Sequence, residues 1–164
     1  MKHRRAFTIL LADSDPDEYH LLYDALAQNG YRGDLQYASD AEELMAHLRS
    51  GRVAPSLILL ELNLLGGEDG EALSRLQADP SLRHIPVVVM TTSSSPEDVA
   101  RSYALGARSH VDKPLTMDEQ VRVVGILLNY WMDAVIVPEP SPQLQTVESL
   151  ESFSSRPLES EFPF

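Results

Sequence analysis

The stretch Ser56-Leu57-Ile58-Leu59-Leu60-Glu61-Leu62-Asn63 is apolar on consecutive positions up to a single acidic residue. A strand without polar alternation must be covered on both faces, which marks the central strand of a parallel sheet flanked by helices. In such sheets the working residues lie at the carboxyl ends of the strands, where loops lead into helices. Glu61 stands at that end.

Around this stretch the chain alternates strand and helix five times. Phe7–Ala12 reads as a buried strand that runs into Asp13-Ser14-Asp15. Asp15 then caps a helix, with Pro16 in the first turn, a stripe of Tyr19, Leu22, Ala25 and Leu26, and a stop at Asn29-Gly30. Leu35–Ala38 is a short second strand, and Ser39-Asp40-Ala41-Glu42 reads as a capping box for the second helix. After the central strand come the loop Gly66-Gly67-Glu68-Asp69-Gly70 and a helix through Leu73 and Leu76. Val87–Met90 is the fourth strand and ends on Thr91-Thr92, and Ser95 caps a fourth helix that Gly106 terminates. Ser109–Asp112 is the fifth strand, followed by Lys113-Pro114 and a last helix opened by the box Thr116-Met117-Asp118-Glu119. This grammar predicts an α/β fold with a doubly wound parallel sheet and right-handed crossovers.

From Pro138 onward the composition changes to five prolines, six serines, five glutamates and one arginine. Too little apolar surface is present there to offset ordering entropy. The expected division is therefore a domain over residues 1–137, with its core at 6–132, and an acidic, disordered tail over 138–164. The truncation boundary would fall after Val137.

Charge narrows the function classes. The chain carries 25 acidic against 13 basic residues, a net charge of -12, and no basic stripe, which argues against nucleic acid. It has no cysteine, and its five histidines lack ligand spacing, which argues against thiolate or zinc sites. No hydrophobic signal region follows the basic start, and the last helix is interrupted by Arg122, Asn129 and Asp133 short of the ~20 apolar residues a span needs. A cytoplasmic, non-membrane protein is the expectation.

In this topology the strand ends gather Asp13, Ser14, Asp15, Glu61, Thr91 and Lys113 on one edge of the sheet. Acidic groups, a hydroxyl and a lysine collected there point to phosphate or metal chemistry. The chain here resembles the receiver domain of two-component response regulators, from about Ala6 to Trp131. The resembling stretches are Leu10–Asp17, Leu57–Leu64, Ile85–Thr92 and Val111–Pro114. It looks closest to the stand-alone receivers that serve phytochrome-type histidine kinases. The resemblance implies a flavodoxin-like five-stranded sheet of order 2-1-3-4-5 with five helices and no attached output domain. It also implies a non-enzymatic role in a phosphorelay, by contact with a sensor histidine kinase or a downstream signalling protein.

In that family an aspartate after strand three accepts a phosphoryl group, and an acidic pair after strand one holds Mg²⁺. A Thr or Ser after strand four contacts the phosphoryl group, and the lysine after strand five pairs with it. Thr91 and Lys113-Pro114 match this pattern and Asp13 matches the first acid of the pair, but the second is Ser14. The phosphoacceptor position holds Glu61. His110 stands where the family places a switching Tyr or Phe, and the proline usual after the acceptor is replaced by Leu65, in a loop that looks one residue longer.

These departures have physical consequences. Mg²⁺ demands hard anionic oxygens in near-octahedral array. With Ser14 in the pair, the ligands left are Asp13 and Asn63, and weak binding is expected. Glu61 carries its carboxylate about 1.5 Å further out than aspartate, one carbon–carbon bond, away from the in-line geometry of transfer. Its charge instead falls near where a phosphoryl group would sit, within reach of Lys113.

Glu61 thus reads either as a permanent mimic of the phosphorylated state or as a mark of lost switching. The rival is a phosphotransfer-competent receiver using Asp13, Asp15 or Glu61 as an unusual acceptor. A flavodoxin-like enzyme or nucleotide binder is a third, weaker reading, because no Gly-rich loop follows strand one. His110 is either a strand-end residue or a pH-sensitive switch, and Asp13, Asp15 and Asp17 suit a helix start as well as a metal.

The last helix carries two apolar faces. Val121, Val124, Gly125, Leu128, Trp131 and Met132 form the core face. Val123, Ile126, Leu127, Tyr130, Ala134 and Val137 form a second, which is read as a protein interface, for a homodimer or for another partner, centred on Ile126, Leu127, Tyr130 and Ala134.

Overall fold

The computed structural model describes residues 6–66, 68 and 70–138. The tail expected over 138–164 therefore lies, apart from Pro138, outside the described residues. Five strands alternate with five helices: β1 (Thr8–Ala12), α1 (Pro16–Gln28), β2 (Asp34–Ala38), α2 (Ala41–Arg49), β3 (Leu57–Leu60), α3 (Glu71–Ala78), β4 (Val87–Thr91), α4 (Pro96–Ala104), β5 (Ser109–Asp112) and α5 (Met117–Leu128). A π-helical turn, Asn129–Ala134, continues α5. All strand pairs are parallel, in the order β2-β1-β3-β4-β5.

The sheet separates two apolar layers by strand parity. Leu10, Ala12, Ile58, Leu60, Val87 and Val89 face α2 and α3, where they meet Leu44, Met45, Leu73 and Leu76. Ile9, Leu11, Leu57, Leu59 and Val88 face α1 and α5, where they meet Leu22, Ala25, Leu26, Val124 and Leu128. Each large side chain so buried contributes roughly 1.5–3 kcal/mol of transfer free energy. Double coverage is why the central run needs no polar alternation.

Asn29 straps the α1–α5 layer, its side-chain amide donating to Ala25 O (2.8 Å) and Val121 O (2.9 Å). Gly125 permits that approach, because a Cβ there would stand 2.6 Å from Asn29 Oδ1.

The caps follow the expected chemistry with one correction. Asp15, Ser95 and Thr116 each accept a backbone N–H at the start of α1, α4 and α5. For α2 the cap is Asp40, not Ser39. Asp40 accepts from Glu43 N, and Glu43 Oε2 reaches back to Ser39 N (2.8 Å) and Oγ (2.6 Å). The box is thus shifted by one residue, because the glutamate three positions on from Asp40 is Glu43.

A second correction concerns the last helix. Leu127 packs against the α1–α5 layer together with Val121, Trp131 and Met132. It does not stand in the outer face with Ile126, Tyr130 and Ala134, all of which are exposed.

Candidate functional site

Sheet register brings the strand ends level. Ala12 pairs with Leu60, Leu60 with Val89, and Thr91 with Asp112, so Asp13, Glu61, Thr91 and Lys113 emerge side by side. The ladder runs on past the strands: Asp13 N donates to Ala38 O (3.1 Å), Glu61 N to Ala12 O (2.9 Å) and Lys113 N to Thr91 O (2.9 Å). The backbones that carry the four side chains are thereby pinned to one another.

The side chains close a single network. Lys113 Nζ lies 2.7 Å from Asp13 Oδ2 and 3.0 Å from Glu61 Oε2. Thr91 Oγ1 donates to Glu61 Oε1 at 2.5 Å, and Asn63 N donates to the same oxygen at 3.3 Å. Asp15 N donates to Asp13 Oδ1 at 2.9 Å. Asp13 is only 3 % exposed and Thr91 is buried, so these bonds are largely shielded from water. Burial alone would depress the Lys113 ammonium, but its hydrogen bonds to Asp13 and Glu61, and their charges, more than offset this and hold its pKa above that of an ordinary lysine.

Other expected residues are placed differently. Ser14 Oγ accepts from Leu65 N (3.0 Å), so it ties the β1–α1 loop to the β3–α3 loop. Asp15 is exposed and spends its carboxylate on Asp17 N as the α1 cap. Asn63 brings its backbone N–H to the site. His110 is turned toward α4, where Nδ1 meets Ser102 Oγ (2.9 Å) and Nε2 meets Ser94 Oγ (3.2 Å).

One member of the site was missed by sequence reasoning. Glu18 Oε1 stands 3.7 Å from Lys113 Nζ and lines the same crevice, beside Leu11, Leu22, Leu60 and Met90. Its pKa is raised, first by burial and then by repulsion from Asp13, Asp15 and Glu61, with Lys113 offsetting only part. The available signal was its place four residues before Leu22, on the buried row of α1.

The donor set does not fit a divalent ion in this arrangement. Both Asp13 oxygens and both Glu61 oxygens are already engaged by Lys113, Thr91 or backbone N–H groups. Among the described residues no buried side-chain polar atom lacks a partner. Nor, among them, do three or more acidic or histidine side chains converge on a point where a metal ion would sit. Mg²⁺ would have to displace Lys113 to gain anionic ligands.

Residues 9–124 match the response regulator receiver domain family. The probable methanogenesis regulatory protein FilR2 of Methanothrix harundinacea is 32% identical over 139 residues, which are 82% of this chain and 90% of that one. Response regulator Rcp1 of Synechocystis is 30% identical over 135 residues, 79% of this chain and 92% of its own. A crystal structure of the Mn²⁺-bound form of Rcp1 superimposes with a TM-score of 0.73 at 29% identity, over 81% of this chain and 99% of that one. The phosphorylated cyanobacterial phytochrome response regulator RcpA superimposes with a TM-score of 0.76 at 30% identity, over 82% of this chain and all of that one.

Proposed function

We propose that this chain, which belongs to the response regulator receiver domain family of two-component signalling, signals through a carboxylate fixed at Glu61 in place of a transferred phosphoryl group. One observation carries the reading. The Thr91 hydroxyl and the Lys113 ammonium, the two groups that the family pattern directs at a phosphoryl group, both close on Glu61. The longer side chain brings its charge to them without a metal ion. It supplies one charge, where a phosphoryl group carries nearly two, so the mimicry is partial.

On this reading the protein is a non-enzymatic, cytoplasmic interaction module. Among the described residues no helix is long and apolar enough to cross a membrane. The partners fitting its relatives are a sensor histidine kinase of the phytochrome type or a downstream signalling protein. Mg²⁺ binds weakly, because Ser14 withholds an anionic ligand and Lys113 competes for the others.

The test is intact mass after incubation with a small-molecule phosphodonor and Mg²⁺. No adduct is expected for this chain, while the double change Ser14→Asp with Glu61→Asp, which restores the family's acidic pair and acceptor, should gain one phosphate. An adduct on the unaltered chain would favour the rival reading, with Asp13, Asp15 or Glu61 as acceptor.

The same reading includes a homodimer through the outer face of α5 and its π turn. Ile126 is 55% exposed and Tyr130 53%, and Ala134 is exposed as well. Burying such side chains against a second copy gains roughly 1.5–3 kcal/mol for each large one, less the cost of association. Ile126→Glu with Tyr130→Glu should yield a folded monomer by sedimentation. A wild-type monomer at high concentration would remove the proposal.

A further inference from the structure

His110 sits in a hydrogen-bond arrangement whose protons can be counted. A serine hydroxyl has one proton to donate. Ser102 is fully buried and its hydroxyl donates to Val99 O at 2.9 Å. Ser94 donates its proton to the Asp112 carboxylate, which can only accept. Both hydroxyl oxygens therefore face the imidazole as acceptors, Ser102 toward Nδ1 at 2.9 Å and Ser94 toward Nε2 at 3.2 Å. An imidazole donates from both nitrogens only when it is doubly protonated. A neutral ring sets one lone pair against an oxygen lone pair, unless Ser102 gives up Val99 O or Ser94 gives up Asp112.

We propose that His110 is a proton-reading tie in which the imidazolium holds the β4–α4 loop and α4 to β5, and loss of one ring proton releases that tie. The elements against the ring carry Asp112 on β5 and Asp98 and Arg101 on α4. Asp112 lies behind Ser94 on the histidine's own strand. Asp98, at the start of α4, is held ionised first by Ser93, then by Ser95, and also by Arg101 and His110. On the other side, the Tyr103 hydroxyl of α4 accepts from His110 N at 3.3 Å. From β4 the ring's strand partner is the apolar Val89.

The tied loop is the one that reaches the sheet-edge site. Ser93 N donates to Thr91 Oγ1 at 3.2 Å, and that hydroxyl in turn donates to Glu61. A change at Ser94 is thus one residue removed from the contact that holds the Glu61 clamp. This coupling does not depend on whether a phosphoryl group is ever transferred to the chain.

The experiment follows the full chain, ¹⁵N-labelled, by NMR from about pH 5 to 8, the range in which histidine ordinarily titrates. Long-range spectra read the protons on the ring nitrogens, and a His110→Gln variant identifies the His110 signals among those of the five histidines. Through-bond correlation to the backbone serves if that variant does not fold. Both ring nitrogens should carry protons at the acid end. The amides of Ser93, Ser94 and Ser102 should shift with the same midpoint as the ring. Their exchange with solvent, corrected for base catalysis, should quicken several-fold at the alkaline end.

In Ser102→Ala a neutral ring protonated on Nε2 satisfies Ser94 unaided, so the ring should titrate without the loop amides following. Loop amides that stay silent while the wild-type ring titrates would overturn the proposal. So would a ring that is neutral throughout, or a Ser102→Ala loop that follows the ring as in wild type. If Ser102→Ala does not fold, the wild-type series decides alone.

Discussion

Two polar networks share the carboxyl edge of this sheet and meet in the β4–α4 loop. The one at Glu61 is built from fixed charges: a single ammonium answers Asp13 and Glu61 directly, with Glu18 close behind. The one at His110 is built from hydroxyls around an imidazole, with the Asp112 carboxylate reached through Ser94. Charges at 2.7–3.0 Å in a sheltered crevice strongly favour one arrangement, because separating them exposes each to an unfavourable medium. Hydroxyl rotors and a titrating ring favour an arrangement only while their protons are placed to match. Charge density therefore marks where the fold is committed, and proton count marks where it remains adjustable.

The sharpest way to break the contrast is Lys113→Met, a neutral side chain of similar length. It leaves Asp13, Glu61 and Glu18 facing one another without a cation. We expect a loss of about 2–4 kcal/mol at neutral pH, in the lower range for an interrupted buried pair because the crevice opens to solvent. Urea unfolding measures it. The pH dependence has a defined sign. The pKa of Lys113 is raised in the fold, so its stabilisation is complete below the ordinary lysine range, about 10.4, and is lost only as pH rises beyond it. The Glu18 carboxyl, whose pKa is raised in the fold, sheds its part of the repulsion on protonation, so the deficit should narrow as pH falls into the glutamate range. A Lys113→Met protein as stable as wild type at pH 7 would mean that the charges are already screened by water.

What was legible in the chain, and what was not, divides along the same line. The doubly wound parallel sheet and the meeting of Asp13, Glu61, Thr91 and Lys113 follow from apolar runs that end on polar residues, since alternating strand and helix leave few ways to stack, whereas the order 2-1-3-4-5 is what the family resemblance implies. The targets of individual side chains do not follow from pattern. Ser14 reads as a depleted metal ligand, yet its hydroxyl binds Leu65 N, a partner 51 residues away set by the conformation of the β3–α3 loop. Leu127 lies on the boundary between two helix faces, and the π turn that follows α5 is not encoded by a 3.6-residue period. Glu18 satisfies two readings at once, dipole complement in the first turn of α1 and neighbour of Lys113. Only the approach of α1 to β5 decides between them.

Glu18 supplies the smallest test, and one that sharpens the comparison. Its carboxyl is desolvated and faces three other carboxylates with part of one lysine in return. Its pKa in the fold is therefore above the unfolded value, so the ionised form costs stability at every pH above the ordinary glutamate range, about 4.3. Glu18→Gln keeps the shape, removes the charge and leaves Lys113 to Asp13 and Glu61. It should stabilise the protein at pH 7 by on the order of 0.5–1 kcal/mol, a rise of ~2–4 °C in thermal midpoint. The gain should fade as pH falls through the glutamate range, where wild-type Glu18 is neutral as well. Paired thermal scans at pH 7 and pH 4 read both effects. A variant less stable than wild type at pH 7 would show that Glu18 is a net partner of Lys113, and that the ammonium is shared three ways in place of two.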